Sequence, residues 1–336
     1  MIKGLAITPP VIGRISIGRV VEKNGKRLPE KDDCFTITSQ VQGRDGWLLH
    51  PLHAQYAEAT DNKLRAIPVK MLFNDTDLNL RAEYSAFDRS TGRPICVGNG
   101  QTAKRSEDDG VNEVTCPGPQ ACPFGQQAGC KLYGRLNVQI EGQEDELGSF
   151  IFRTTGYNSV RTLAARLRYF EAVSGGNTKH LRLVLKLRAK STTQSHRAPV
   201  FYVDLTLRKD EPLADAVAFA RSEAQRYADA GVETALLEEA ARQALSNGVF
   251  EDSEEEAPAI VEEFFTETNG DGDLGEAPET QGRTQPSATA SAAQASVQAA
   301  VGRQSTPPTH ARTNRITPRL GQGSPDKRNQ AAGSPS

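Results

Sequence analysis

The sequence predicts an α+β fold, with antiparallel sheet and packed helices over residues 1–250 and a disordered tail over 251–336. Three observations predict it. Apolar residues alternate at Val69, Met71 and Phe73, at Leu136, Val138 and Ile140, and at Leu181, Leu183, Leu185 and Leu187, which is the period of half-buried strands. Val160, Leu163, Ala164 and Leu167 fall instead at the spacing of one helix face. Past Phe250 the composition changes abruptly. Residues 251–279 carry 12 acidic side chains, no Lys or Arg occurs from Gln243 to Gly282, and Ser, Ala, Gln, Thr and Pro follow in low-complexity order. Such a stretch cannot bury enough apolar surface to offset its own ordering.

Taken in order, residues 1–50 read as a strand-rich entry. Ile12, Ile15 and Ile17 sit among glycines, Asn24-Gly25 is a hairpin signal, and Cys34 to Thr38 is a second short β run. Trp47 to His53 ends near the turn that Pro51 favours. His50 and His53 are expected at that strand end, one packed and one solvated, in preference to a pair of metal ligands. Asn74 to Asn79 imitates the opening of a calcium loop. Leu80 stands where that loop needs glycine, and Ala86 where it needs a bidentate Glu, so the segment reads as a polar turn. Leu80, Ala82, Tyr84 and Ala86 alternate, and Asp88 to Pro94 turns the chain into the strand carrying Cys96.

After Cys130 the sheet resumes, and the acidic loop Glu141 to Glu146 leads to a return strand with Phe150 and Phe152. A helix then starts, with Thr155, Asn158 or Ser159 able to cap it and Gly175-Gly176 to end it. Leu181 to Arg188 and Val200 to Leu207 suggest an antiparallel pair with one basic face. In the loop between them Ser195 adjoins His196, but neighbours in a loop lack the geometry of a nucleophile–base pair. Pro212 to Ala230 and Thr234 to Asn247 read as packing helices.

Four of the five cysteines, Cys96, Cys116, Cys122 and Cys130, lie within 35 positions, separated by 19, 5 and 7 residues, with no His among them. Four thiolates suit a closed tetrahedral Zn2+ site, because zinc takes soft sulfur donors and needs no other ligand. None of the gaps is the two-residue knuckle of the familiar zinc motifs. Two disulfides, ordinary buried thiols and an iron–sulfur cluster compete for the same residues. Disulfides need an oxidising compartment, and Met1-Ile2-Lys3-Gly4-Leu5 offers no secretion signal. The zinc reading makes the fold a small sheet with a stapled loop over 96–130, as one body or as two lobes, 1–130 and 131–250.

Charge sets bounds on partners. Residues 1–250 hold 33 Lys and Arg against 29 Asp and Glu, too even a balance to mark a nucleic-acid binder by charge alone. Arg161, Arg166 and Arg168 on the predicted helix, with Lys186 on the following strand, are the candidate contacts for phosphate or an acidic partner. No apolar run approaches the roughly 20 residues that cross a bilayer, so a cytoplasmic protein without a membrane partner is expected. Within the acidic tail, Ile260 to Phe265 is an apolar island with i, i+4 spacing, suited to folding onto a further protein as a short helix.

Cys96-Val97-Gly98-Asn99-Gly100, the cluster from Cys116 to Cys130 running into a strand, and Arg153-Thr154-Thr155-Gly156-Tyr157-Asn158-Ser159-Val160-Arg161 together resemble a family of phage and integrative-element proteins. That family includes recombination directionality factors that work with large serine integrases. The likeness covers about residues 1–250, is strongest between 90 and 172, and omits the tail; Tyr157 stands where some relatives carry Trp. The resemblance implies a non-enzymatic switch that binds a serine integrase, meets DNA only indirectly or weakly, and shifts recombination toward excision. Two alternatives remain on the residues themselves: a metal-dependent hydrolase, and a zinc-stabilised nucleic-acid-binding protein of a mobile element. A hydrolase needs an open coordination position and a general base, and no paired carboxylates or His-Glu motif accompany the cysteines.

Overall fold

The computed structural model describes residues 10–247 apart from 24–25, 45, 61–62, 109, 192 and 194–196, together with Ile260, Val261 and Phe264. The chain runs β1 (Val11–Lys23), β2 (Lys26–Gly43), β3 (Gly46–Leu49), α1 (Pro51–Glu58), β4 (Ala66–Met71), α2 (Thr76–Asn79) and β5 (Leu80–Phe87). It continues through β6 (Pro94–Gly98), β7 (Thr102–Glu107), β8 (Gly110–Thr115), α3 (Pro123–Ala128), β9 (Lys131–Ile140) and β10 (Ser149–Thr154). The last elements are α4 (Tyr157–Ser174), β11 (Leu183–Ser191), β12 (Pro199–Leu207), α5 (Leu213–Asp229) and α6 (Thr234–Asn247). This is the mixed α+β architecture expected, with a mostly antiparallel sheet; β1 and β10 pair in parallel.

β9 is the strand on which the sheet branches. One of its edges takes β10. The other takes β5 along Lys131–Leu136 and β4 along Val138–Ile140. From β5 the ladder continues through β6 and β7 to β8, and from β4 through β11 to β12. The main core gathers Phe35 and Ile37 of β2, Val69 of β4, Leu136 and Val138 of β9, and Phe150 and Phe152 of β10. Leu163 and Leu167 of α4 pack there with Leu183, Leu185, Val203 and Leu205. Residues from both halves of the chain therefore bury against one another. At about 25 cal/mol per Å2 of apolar surface, this core supplies most of the drive to fold.

Several local expectations change. Within the stretch 96–130, expected as a stapled loop, Thr102–Glu107 and Gly110–Thr115 pair as the β7–β8 hairpin, whose apolar content is low because it lies at the sheet's margin and is largely exposed. The entry strands β1 and β2 are far longer than the short runs expected; the Asn24-Gly25 turn lies outside the described residues, as do Ser195, His196 and most of the tail. Helix α4 begins at Gly156 without a side-chain cap, so none of Thr155, Asn158 and Ser159 caps it. Ser159 Oγ instead accepts the N–H of Val203 at 3.1 Å, satisfying a backbone donor of β12. The helix ends as predicted, on left-handed Gly175.

The polar turn at 74–79 is bound by Asn79. Its side chain accepts the Leu72 and Phe73 N–H groups at 3.0 Å each and donates to the Phe73 and Asp75 carbonyls at 2.8 Å. Helix α6 packs on this turn, Ala241 against Leu72, Phe73 and Leu78.

His50 stands at the end of β3, as expected, but His53 lies inside helix α1. His50 caps helix α1, where Pro51 takes the first-turn position that needs no N–H, and its Nδ1 accepts the Leu52 N–H at 3.3 Å. His53 Nδ1 accepts the Ile37 N–H of β2 at 3.3 Å. Burial lowers the pKa of both, and of His180, below 6.5. A histidine whose folded pKa is depressed contributes stability present above its unfolded pKa and lost as pH falls through the folded one. Tm is therefore expected to fall between pH 7 and pH 5, and to fall less in His53→Gln, which keeps a hydrogen-bonding side chain that does not titrate. A Tm unchanged across that interval contradicts the assignment.

Candidate metal centre

β5, β6, β7 and β8 form a wing beyond β9. Ala86 lies opposite Cys96, Cys96 opposite Arg105, Gly98 opposite Ala103, and Ala103 opposite Val114. Residues opposite one another in an antiparallel ladder share a face. Ala86, Cys96, Gly98, Ala103 and Arg105 thus point to the front of the wing, and α3 packs over them. Ala86, Cys96 and Ala103 form its small buried core, with Cys116, Phe124, Ala128 and Cys130 against it.

Each cysteine reaches this face by a different device. Cys96 sits within β6 and is buried. Cys116 follows β8 directly, its N–H donating to the Gln101 carbonyl at 2.8 Å. Gly98 lets it approach: a Cβ there would lie 2.8 Å from Cys116 Sγ and 2.6 Å from Ala103 Cβ. Cys122 caps α3, its Sγ accepting the Gly125 N–H at 3.3 Å. Cys130 follows left-handed Gly129 (φ 69°), and its N–H donates to the Gly125 carbonyl at 2.7 Å. Gly125 lies between the two, its hypothetical Cβ 3.3 Å from that of Cys122 and 3.2 Å from that of Cys130. Cys96, Cys116, Cys122 and Cys130 are free thiols, and Cys34 lies in β2, away from the wing.

The electrostatics of the cluster follow from crowding four sulfurs together. Burial, then repulsion from Cys96, Cys116 and Cys122, pushes the Cys130 thiol up to about 12. Burial also raises Cys96, against the pull of Arg105. Arg105 stacks on Phe124 at 4.0 Å and reaches Cys122 Sγ at 3.9 Å. It is the member of this cluster that spacing did not reveal. Its signal is its register opposite Cys96, two residues beyond Ala103, once β7 is recognised as a strand.

Among the described residues no group of three or more His, Cys, Asp or Glu side chains has the arrangement of a metal cage. Cys96, Cys116 and Cys130 share one cluster, and Cys122 lies near enough to interact electrostatically with Cys96 and Cys130. The chemistry of these residues would suit a soft divalent cation, with four sulfur donors, no harder ligand interleaved, and one guanidinium to balance excess negative charge. If all four sulfurs bound one ion, no coordination position would be left for a substrate.

The predicted basic contacts lie on the other branch. Arg161 and Arg168 are exposed on α4, Arg168 Nη2 meeting Asp77 Oδ1 at 3.3 Å. Arg166 leans onto β12, where its Nε binds Asp204 Oδ1 at 3.0 Å, while Arg188 Nε binds Asp204 Oδ2 at 2.5 Å. Lys186 is exposed on β11, opposite Asp204 in register. The branched sheet thus separates the sulfur cluster from the basic set.

The fold is thus an α+β architecture on a branched sheet, with the cysteine wing on one arm and helix α4 with its arginines on the other. Over residues 12–208, which include both arms, the chain matches the family described as Gp3-like, recombination directionality factor-like, and it belongs to that family. No curated protein and no solved structure matches it. No helix among the described residues is long and apolar enough to cross a membrane.

Proposed function

We propose that this chain is an accessory recombination directionality factor that binds the serine integrase of a phage or integrative element and shifts it from integration toward excision. The observation that carries the reading is the family match, which spans the cysteine wing and α4 together. The role needs no reaction centre. An integrase holding its DNA-bound subunits in alternative arrangements is redirected by any partner that prefers one of them. Moving such an equilibrium from 1:99 to 99:1 requires a preference of about 10⁴-fold, roughly 5.5 kcal/mol. That demand is met more readily by a rigid two-armed surface than by a single loop.

Within this reading Cys96, Cys116, Cys122 and Cys130 hold a structural Zn2+ that fixes the 116–130 excursion to the wing, and Arg105 balances its charge. Bound there, zinc supplies a cross-link and no catalysis. Arg161, Arg168 and Lys186 supply exposed contacts on the other arm, with Arg166 positioned by Asp204. DNA is met through the integrase.

Co-purification of the full chain with the large serine integrase of the same element tests the reading. A stable complex is expected, weakened about tenfold or more when Arg161, Arg168 and Lys186 are changed together to Glu, because contact charges govern encounter and register. Two outcomes contradict it. One is steeply salt-dependent DNA binding by the chain alone with no affinity for integrase, which marks a nucleic-acid module. The other is turnover abolished by a chelator and restored by metal, which marks a hydrolase.

A further inference from the structure

The back of the wing carries a second feature, on the same strands as the cysteines and facing away from them. Tyr133 lies opposite Glu83, and Lys131 opposite Ser85, on the face away from Ala86. Phe87 and Tyr133 meet edge to face, with ring centroids 5.2 Å apart. Onto this pair the chain folds its own tail segment. Ile260 and Phe264 are both fully buried in one cluster with Phe87 and Tyr133. The ring of Phe264 stands 4.7 Å from that of Phe87 and 5.7 Å from that of Tyr133, so three rings pack edge to face. Lys131 Nζ lies 4.4 Å over the Phe264 ring and donates a hydrogen bond to the Phe264 carbonyl. The apolar island of the tail therefore contacts the body of its own chain.

We propose that Phe87, Tyr133 and Lys131 form a recognition site for a short acidic helical segment with an aliphatic residue and an aromatic residue four positions apart, and that residues 260–264 are its resident ligand in cis. Three features argue for a recognition site over an ordinary piece of core. Its contents are two side chains, four apart, of a helical segment, the spacing by which helices present anchors to grooves. Its polar contact is specific: one ammonium reads both the ring face and the backbone carbonyl. Its charge is complementary, since Lys131 belongs to the body while Glu262 and Glu263 lie between the anchors in sequence and Glu267 follows them.

The anchors are joined to the end of α6 by only twelve residues, 248–259. A tether that short holds its ligand at an effective concentration of order 1 mM. A free segment of the same kind with Kd near 10 µM would then bind the latched chain about 100-fold more weakly than an unlatched one. The cis segment thus sets a threshold that a partner's segment must exceed to occupy the site. This inference does not depend on which recombinase, if any, the chain serves.

The test uses a fluorescein-labelled peptide of residues 255–270 and full-length chains, with binding read by fluorescence anisotropy. Phe264→Ala in the full chain should bind the peptide about 100-fold more tightly than the unmutated chain does. Adding Lys131→Glu should abolish that gain, and a peptide with Phe264→Ala should not bind. Ile260→Ala, a milder release, provides the same readout if Phe264→Ala does not fold. Equal affinity of the unmutated and released chains, or no binding by either released variant, overturns the proposal. So does a concentration-dependent dimer of the unmutated chain that Phe264→Ala dissolves, since the resident segment would then come from a second copy.

Discussion

Cys122→Ser is expected to lower bound zinc from about one ion per chain to near none and to destabilise the wing more than any other single change. Cys122 plays two parts in this proposal: its sulfur caps α3 through the Gly125 N–H, and it is the fourth proposed donor, close enough to Cys96 and Cys130 to interact with them electrostatically. Because ligands of a structural ion tie metal binding to folding, losing one returns that free energy to the unfolded chain. A loss of about 4 kcal/mol corresponds to a fall in Tm of roughly 8–16 °C for a body of this size. Serine keeps the size and is itself a preferred N-cap, so the change isolates the soft donor. Cys34→Ser, in β2, should alter neither metal content nor Tm appreciably. Metal analysis by mass spectrometry beside thermal melts checks both variants, and unchanged zinc with an unchanged Tm in Cys122→Ser contradicts the metal centre.

Asp204→Ala is expected to have the next largest effect. The carboxylate is 3% exposed and lies between Arg166 and Arg188, which are 44% and 40% exposed. Its Oδ1 also accepts the Leu205 N–H at 2.9 Å. Burial alone would raise its pKa, but hydrogen bonds from Arg166 and Arg188 outweigh burial and hold it below the ordinary 3.8. The sign follows: its contribution is present above pH 3.8 and disappears as pH falls through the lower folded value. Breaking a fully buried ion pair by removing one partner costs about 3–5 kcal/mol. Solvent screening of the half-exposed arginines reduces this to about 2–3 kcal/mol here. Denaturant unfolding at pH 7 measures the loss. In an Arg166→Ala background the same change should cost less, since one of its two partners is already gone.

What could be read from the sequence follows from how much of each signal is local. The β11–β12 pair was legible because Leu183, Leu185 and Leu187 alternate against Val203, Leu205 and Leu207 with one face buried. Helix α4 was legible in its apolar stripe and its glycine stop. Helix α1 was not: it spans eight residues, and its start is signalled by Pro51 and a histidine acceptor, with no Ser, Thr, Asp or Asn at the cap. The β7–β8 hairpin was hidden because an exposed marginal ladder needs few apolar residues, and Ala103 alone marks its buried face. Of the candidate site, the cysteines declare themselves by clustering. Arg105 and Gly98 act through cross-strand register, which is a tertiary fact. The role of Arg166 depends on Asp204, 38 residues later, and the docking of Phe264 depends on Tyr133, more than 130 residues earlier.

Reconstituted attachment-site recombination shows whether this scaffold redirects a recombinase. Purified cognate serine integrase is given DNA carrying the two hybrid sites left by integration, with and without the full chain, and the excised product is counted. Little excision is expected from integrase alone, with abundant excision when the chain is added and suppression of the forward reaction in parallel. An unchanged product ratio in both directions, with the chain folded and in molar excess over integrase, contradicts that role.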